Sequence, residues 1–168
     1  MILMIDNYDS FVFNVEQYLK ELSCEEVKTV RNDEISIEEI RKLNPSKIVL
    51  SPGPKHPKDS GVCLEILKEI EDIPILGICL GHQAIGYTFG SQIKRMENPM
   101  HGKSSEIEVL YDNSKLFRDL PKKFNVMRYH SLYVSEENLP EDLAVTAKSN
   151  DGIIMALEHR TKSIYGVQ

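Results

Sequence analysis

Gly77-Ile78-Cys79-Leu80-Gly81 carries the clearest chemistry in this chain of 168 residues. It is a Gly-x-Cys-x-Gly between an apolar strand-like run and a helix-like stretch, the form of a nucleophile elbow with Cys in place of Ser. A sharp strand-to-helix turn forces the nucleophile into a strained backbone, and flanking glycines remove the side chains that would collide there. The turn also leaves the Cys79 sulfur at a helix N-terminus, where unpaired N–H groups and the dipole favour thiolate. The N–H of Leu80 then points at an oxygen that becomes negative when a carbonyl is attacked. The competing reading is that Gly77 and Gly81 only permit close helix-on-strand packing around a buried thiol. Cys24 and Cys63 lack such a setting and are read as structural.

Three further groups suit the same chemistry. Ser51-Pro52-Gly53-Pro54 ends a neighbouring strand, where Gly53 lets a backbone N–H approach a ligand and the prolines stiffen the loop; on its own it is also ordinary turn punctuation. Gln83 follows Cys79 by four residues, one turn along the same face, and its amide can donate and accept at once, as an amide or amino acid substrate requires. His82 and His130 are candidate bases, although His82 projects along its helix rather than across a crevice, and a hydrogen-bonded structural histidine is the favoured reading of each. No pair of histidines has metal-ligand spacing, and no nucleotide or flavin signature is present, so no cofactor is expected.

The elements that must position these residues alternate. Met1–Ile5 is a continuous apolar run suited to a strand buried on both faces. A helix is expected from a cap at Asp9 or Ser10 to about Leu22, with Phe11, Val15, Tyr18, Leu19 and Leu22 on its inner face. Val27–Val30 reads as a strand, and Ser36 with Glu39 forms a capping box for a helix that Asn44-Pro45 ends. Strand 47–51, a helix from Val62, strand Ile75–Ile78 and helix Leu80–Phe89 continue the rhythm. This is the pattern of a doubly wound α/β fold: a mostly parallel sheet with helices on both faces. Beyond it, Ile107, Val109 and Tyr111 alternate with Glu106 and Glu108, and Phe124–Tyr129, Leu143–Ala147 and Ile153–Leu157 are further strands. The last two flank the turn Asn150-Asp151-Gly152, so an antiparallel C-terminal extension is expected. Ser163–Gln168 reads as one more strand, and residues 1–168 as one domain.

Composition bounds the partners. Lys and Arg number 20 against 26 Asp and Glu, a net charge of −6. That balance speaks against nucleic acid or an anionic membrane surface. No apolar run approaches the ~18 residues of a membrane span, and the start meets Asp6 too soon for a signal peptide. Three cysteines without a Cys-x-x-Cys pair imply neither a disulfide framework nor structural zinc. A cytoplasmic location is expected.

With these residues in view, the chain resembles the class I, triad-type glutamine amidotransferases, and more narrowly the small glutaminase subunits of anthranilate synthase and aminodeoxychorismate (para-aminobenzoate) synthase. The segments that carry the resemblance run in family order along the whole chain: Ile5-Asp6-Asn7-Tyr8-Asp9-Ser10-Phe11, Arg31-Asn32-Asp33, Leu50–Pro54, Leu76–Gln83, Met100-His101-Gly102-Lys103-Ser104, Arg128-Tyr129-His130-Ser131-Leu132 and Gly166-Val167-Gln168. The resemblance implies that the Cys79 thiolate attacks the side-chain amide of L-glutamine, releases ammonia and leaves a thioester that water hydrolyses to glutamate. It implies an oxyanion hole from the N–H groups of Leu80 and Gly53. It also implies that Gln83 and the backbone around Ser131 and Leu132 hold the amino acid part of glutamine. Ammonia would pass to a larger chorismate-binding synthase subunit in a hetero-oligomer, making anthranilate or aminodeoxychorismate. Met100–Ser104 would lie near the mouth of the site and the partner surface, unless it is a plain glycine turn.

In that family the general base is a His two positions after the Gly-Val-Gln strand end, followed by a Glu that orients it, and Gln168 precedes both. The expectation is a C-terminally incomplete copy of an active enzyme. The alternative is a catalytically inactive glutamine-binding or regulatory subunit.

Overall fold

A computed structural model describes residues 1–111 and 114–168. The opening apolar run forms β1 (Ile2–Asp6), with every residue from Ile2 to Ile5 buried. The alternation of side chains along a strand explains why both faces are apolar. Leu3 and Ile5 face a core shared with Ile40, Ile66, Leu67 and Ile85, whereas Ile2 and Met4 face a second core with Val12, Val15 and Leu19. The first core lies under α2 (Ile37–Leu43), α3 (Val62–Glu69) and α4 (Leu80–Thr88), and the second under α1 (Val12–Ser23). Helices therefore cover both faces, as the alternating pattern predicts.

Among the described residues the sheet has nine strands in the order β2-β1-β3-β4-β9-β8-β7-β5-β6. β2 (Val27–Arg31), β1, β3 (Lys47–Leu50), β4 (Ile75–Ile78) and β9 (Ile164–Val167) run parallel. β8 (Ile154–His159), β7 (Leu143–Ser149), β5 (Ile93–Val109) and β6 (Lys123–Val134) extend it in antiparallel fashion. The capping box is present: Ser36 N–H donates to Glu39 Oε2 (2.8 Å) and Glu39 N–H to Ser36 Oγ (3.3 Å). Asn44 ends α2 in a left-handed conformation.

Two expectations are corrected. The buried side of α1 is Val12, Val15 and Leu19, while Phe11, Tyr18 and Leu22 are exposed, Leu22 at 83%. The helix also begins without a side-chain cap: Asp9 accepts the Phe11 N–H (2.7 Å), two residues too early. Five apolar residues over about three turns can be assigned to more than one stripe, and the sheet selects the stripe centred on Val15. The second correction is the length of β5. It starts at Ile93, well before the alternating stretch, because the segment from Ile93 pairs with β6 in a mostly exposed ribbon where, past Ile93, too few side chains reach the core to impose alternation. Met100–Ser104 belongs to this ribbon, with a register shift at Gly102 (φ 63°).

Candidate active site

The elbow forms where β4 ends. The Cys79 N–H donates to Val167 O (2.8 Å), which ties the turn to the end of β9. Its carbonyl accepts the Gln83 N–H (3.0 Å), the first bond of α4. Between these anchors Cys79 has φ 52° and ψ −99°. A non-glycine residue there stores about 1–3 kcal/mol of strain. The glycines make the turn possible: a Cβ on Gly77 would stand 2.5 Å from the Gly81 carbonyl, and one on Gly81 would stand 2.5 Å from Leu50 O.

The expected bias of Cys79 toward thiolate does not hold in this resting structure. Burial pushes the thiol above its ordinary value. The Gln168 side chain and the Leu80 N–H oppose that rise, and the nearby Asp9 charge adds to it. Removing a charge from water outweighs one helix end, so at neutral pH the sulfur holds its proton until something takes it. Cys63 is a buried thiol pushed up to about 12 by desolvation, with its Sγ 3.3 Å from Asn7 Oδ1, and Cys24 is exposed.

The opposite wall is the Ser51–Pro54 loop after β3. Asn7, at the end of β1, fixes it: its N–H donates to Ser51 Oγ (2.8 Å) and its Nδ2 to Ser51 O (2.9 Å), while Asn32 Nδ2 donates to Asn7 Oδ1 (2.9 Å). Gly53 is wedged between Asn7 and Leu80. An added Cβ would meet Asn7 O and Leu80 Cδ2 at 2.7 Å each, so loop and elbow sit at a separation only glycine allows.

Two clefts share Gly53, Cys79 and Tyr129 in their walls. The larger, about 310 Å³, is also lined by Asp9, Phe11, Met127 and Gln168. The smaller, about 170 Å³, is also lined by Gln83, His101, Ser131 and Leu132. Gln83 is buried, and its Nε2 donates to Leu132 O (3.1 Å) and to Gln168 Oε1 (2.9 Å). Both amide hydrogens are thus engaged, which leaves Oε1 to accept from a ligand ammonium or amide.

Among the described residues neither candidate base hydrogen-bonds the sulfur, although His130 lines the smaller cleft with Cys79. His82 is fully buried on α4 against Gly166, its two ring nitrogens lack hydrogen bonds, and desolvation pushes it down to about 4. His130 has both nitrogens occupied, by Arg128 and by Leu132 O. Among the described residues no histidine hydrogen-bonds Cys79. Sequence reasoning overlooked Asn7, Asp9, Tyr129 and Gln168 as parts of the site. A signal existed for Asn7, a polar residue at the exit of a strand whose neighbour β3 exits at Ser51.

The family model for class-I glutamine amidotransferases matches residues 3–168. The chain belongs to this family. Among the amidotransferases it resembles, anthranilate synthase component 2 of Methanothermobacter thermautotrophicus is 47% identical, over 100% of this chain and 88% of the relative. The aminodeoxychorismate/anthranilate synthase component 2 of Bacillus subtilis is 48% identical, over 100% and 86%. A crystal structure of a glutamine amidotransferase from Thermotoga maritima superposes with a TM-score of 0.79 at 21% identity, over 99% of this chain and 74% of that one. That likeness shows the fold. No helix among the described residues is long and apolar enough to cross a membrane.

Proposed function

We propose that this chain is the glutaminase subunit of an aminating synthase in the chorismate pathway. It would hydrolyse L-glutamine to glutamate and deliver ammonia to a larger chorismate-binding subunit, in the cytoplasm. The names of the relatives, component 2 of anthranilate synthase and of aminodeoxychorismate/anthranilate synthase, support this role; anthranilate stands in both names and aminodeoxychorismate in one. The nine strands share one sheet, which supports reading residues 1–168 as one glutamine amidotransferase domain.

The observation that carries the reading is the strained Cys79 facing Gly53 across a cleft that Gln83, Ser131 and Leu132 close. In this reading the substrate ammonium and carboxylate rest on Gln83 Oε1 and the main chain of Ser131 and Leu132. The carboxamide then lies over the sulfur. Attack by the thiolate forms a C–S bond and places negative charge on the amide oxygen, where the N–H groups of Leu80 and Gly53 receive it. Collapse breaks the C–N bond, the nitrogen leaves protonated as ammonia, and water cleaves the thioester. Because burial keeps the thiol protonated, a base must accept that proton before attack.

Glutamine turnover by the full-length protein bound to its synthase subunit tests the proposal. Cys79→Ala is expected to abolish turnover, by at least ~10⁴-fold as for loss of other catalytic nucleophiles, while glutamine still binds. Diazo-oxo-norleucine is expected to label Cys79. Turnover that survives Cys79→Ala would refute the proposal.

A further inference from the structure

Arg128 on β6 has a guanidinium with no exposed surface. Its Nη1 donates to both Asp151 oxygens (2.9 and 3.0 Å) and to Ser105 Oγ (3.1 Å), and its Nε donates to His130 Nε2 (3.0 Å). A guanidinium cannot accept a hydrogen bond. His130 Nε2 must therefore present its lone pair, which places the ring proton on Nδ1, 2.8 Å from Leu132 O. That carbonyl also accepts from Gln83 Nε2. An unbroken series of donors and acceptors thus runs from the half-exposed Asp151 carboxylate to the wall of the smaller cleft.

We propose that Asp151, Arg128 and His130 are positioning residues that fix the Ser131–Leu132 main chain in the geometry that receives the amino acid part of glutamine. The inference rests on the glutaminase reading above and assigns no reacting role to the three.

Three observations carry it. First, the backbone here needs an outside support. β5 and β6 pair at Arg95 with Leu132 and at Met100 with His130, and the ladder skips between them, leaving Ser131 without a partner strand residue. Main-chain groups released from a ladder are free to meet a ligand but are also free to rotate. Second, the series stops that rotation: with His130 Nδ1 and Gln83 Nε2 both bound to Leu132 O, both lone pairs of that carbonyl are taken and its peptide plane is held. Third, the arrangement is a poor source of stability. Arg128 Nη2 is buried without a partner, and a guanidinium taken fully out of water against a half-exposed carboxylate recovers little of its desolvation cost. What it does supply is direction, since Arg128 fixes the tautomer of His130 and the tautomer fixes the carbonyl. The charges are consistent with this. Burial and the Arg128 charge push His130 down, against the Leu132 carbonyl and Asp151, so the ring stays neutral at neutral pH. Burial acts to raise Asp151, but bonds from Ser149 and Arg128, with the Arg128 charge, hold it low and ionised.

His130→Phe keeps the ring and removes both nitrogens. In the full-length protein bound to its synthase subunit, it is expected to raise the KM for glutamine about tenfold while kcat stays within about twofold, the signature of lost ground-state orientation. Labelling of Cys79 by diazo-oxo-norleucine should slow by a similar factor, whereas alkylation by iodoacetamide, which needs no amino acid pocket, should not change. His130→Gln, able to accept from Arg128 and donate to Leu132 O, should recover part of the loss. On wild-type protein, ¹⁵N shifts of the His130 ring should report a neutral Nδ1–H tautomer whose Nδ1 signal moves on adding glutamine, a readout that stands even if His130→Phe does not fold. An unchanged KM in His130→Phe, an Nε2–H tautomer, or an Nδ1 signal that ignores bound glutamine would each overturn the inference. Wild-type protein that neither binds glutamine nor is labelled overturns the glutaminase reading, and this inference with it.

Discussion

At the scale of single residues, the site is set by a side chain kept where its backbone does not want to be. Cys79 occupies φ 52°, ψ −99° because the Val167 carbonyl holds its N–H and the first turn of α4 holds its C=O. Nothing in that geometry requires a Cβ, and glycine tolerates it freely. Cys79→Gly should therefore be more stable than Cys79→Ala, both being inactive. Relief of about 1–3 kcal/mol of strain, less about 0.4–1 kcal/mol for the freer unfolded chain, leaves roughly 1 kcal/mol. In a domain of this size that is ~2–4 °C in Tm, readable by thermal denaturation of the two variants side by side. Equal melting temperatures would mean that the elbow is unstrained. The motif Gly-x-Cys-x-Gly made this residue legible from sequence, because steric collision leaves a covalent trace in residue types. The thiol's charge state was not legible: it depends on how deeply the sulfur is buried and on Asp9, which reaches the cleft from a different loop. The pairing of Arg128 with Asp151 was not legible for a similar reason, since 23 residues separate them and only the sheet brings them together.

At the scale of elements, α4 is the hub, packed against β9 by an interface that tolerates almost no bulk. A Cβ on Gly166 would stand 2.8 Å from His82 Nδ1. The His82 ring is sealed there without a hydrogen bond and is pushed down to about 4 by desolvation, whereas in the unfolded chain it titrates near ~6.5. Between those values the unfolded state binds the proton and the folded state does not, so stability rises with pH across the window and is lost on acidification. From pH ~7 to ~5, wild type should lose about 2 kcal/mol more than His82→Gln, in which the titration is gone. Urea midpoints at the two pH values measure this, and parallel losses in both proteins would show that His82 is not buried neutral. Helix and strand starts were well marked along this half of the chain. The Ser36–Glu39 box and the apolar runs of β1, β3 and β4 are local signals, and the structure keeps them. The first half of β5 was not marked, because Lys94, Arg95, Glu97 and Asn98 are polar residues of a mostly exposed stretch with no apolar alternation.

At the scale of the whole molecule, the last strand in sequence is the middle of the sheet. β9 pairs in parallel with β4, from Ile75 with Ile164 to Ile78 with Val167, and antiparallel with β8, from Ala156 with Val167 to Glu158 with Tyr165. Among the described strands it alone has one neighbour of each kind, so it joins the parallel half to the antiparallel half. It also supplies Val167 O to the elbow, Gly166 to the α4 interface and leads to Gln168 beside Gln83. A chain ending at Lys162 retains Gly53, Cys79, Leu80, Gln83, Ser131 and Leu132, yet besides Gln168 it loses both ladders and leaves β4 and β8 with open edges, which invite pairing with other chains. The β4–β9 pairing joins strands far apart in sequence and forms late, because loop closure is costly until it is made, whereas β8 and β9 are sequence neighbours. That shortened chain is therefore expected to give no sigmoidal urea transition, to be cleaved rapidly by protease, and to associate. It should also leave Cys79 unlabelled by diazo-oxo-norleucine, although all of α4 is present. A single cooperative transition with the full chain's denaturant dependence would place the nucleus of the fold in residues 1–162 and reduce β9 to a late addition. Loss of cooperativity would instead mean that sheet and elbow are completed in the same step, by the same strand.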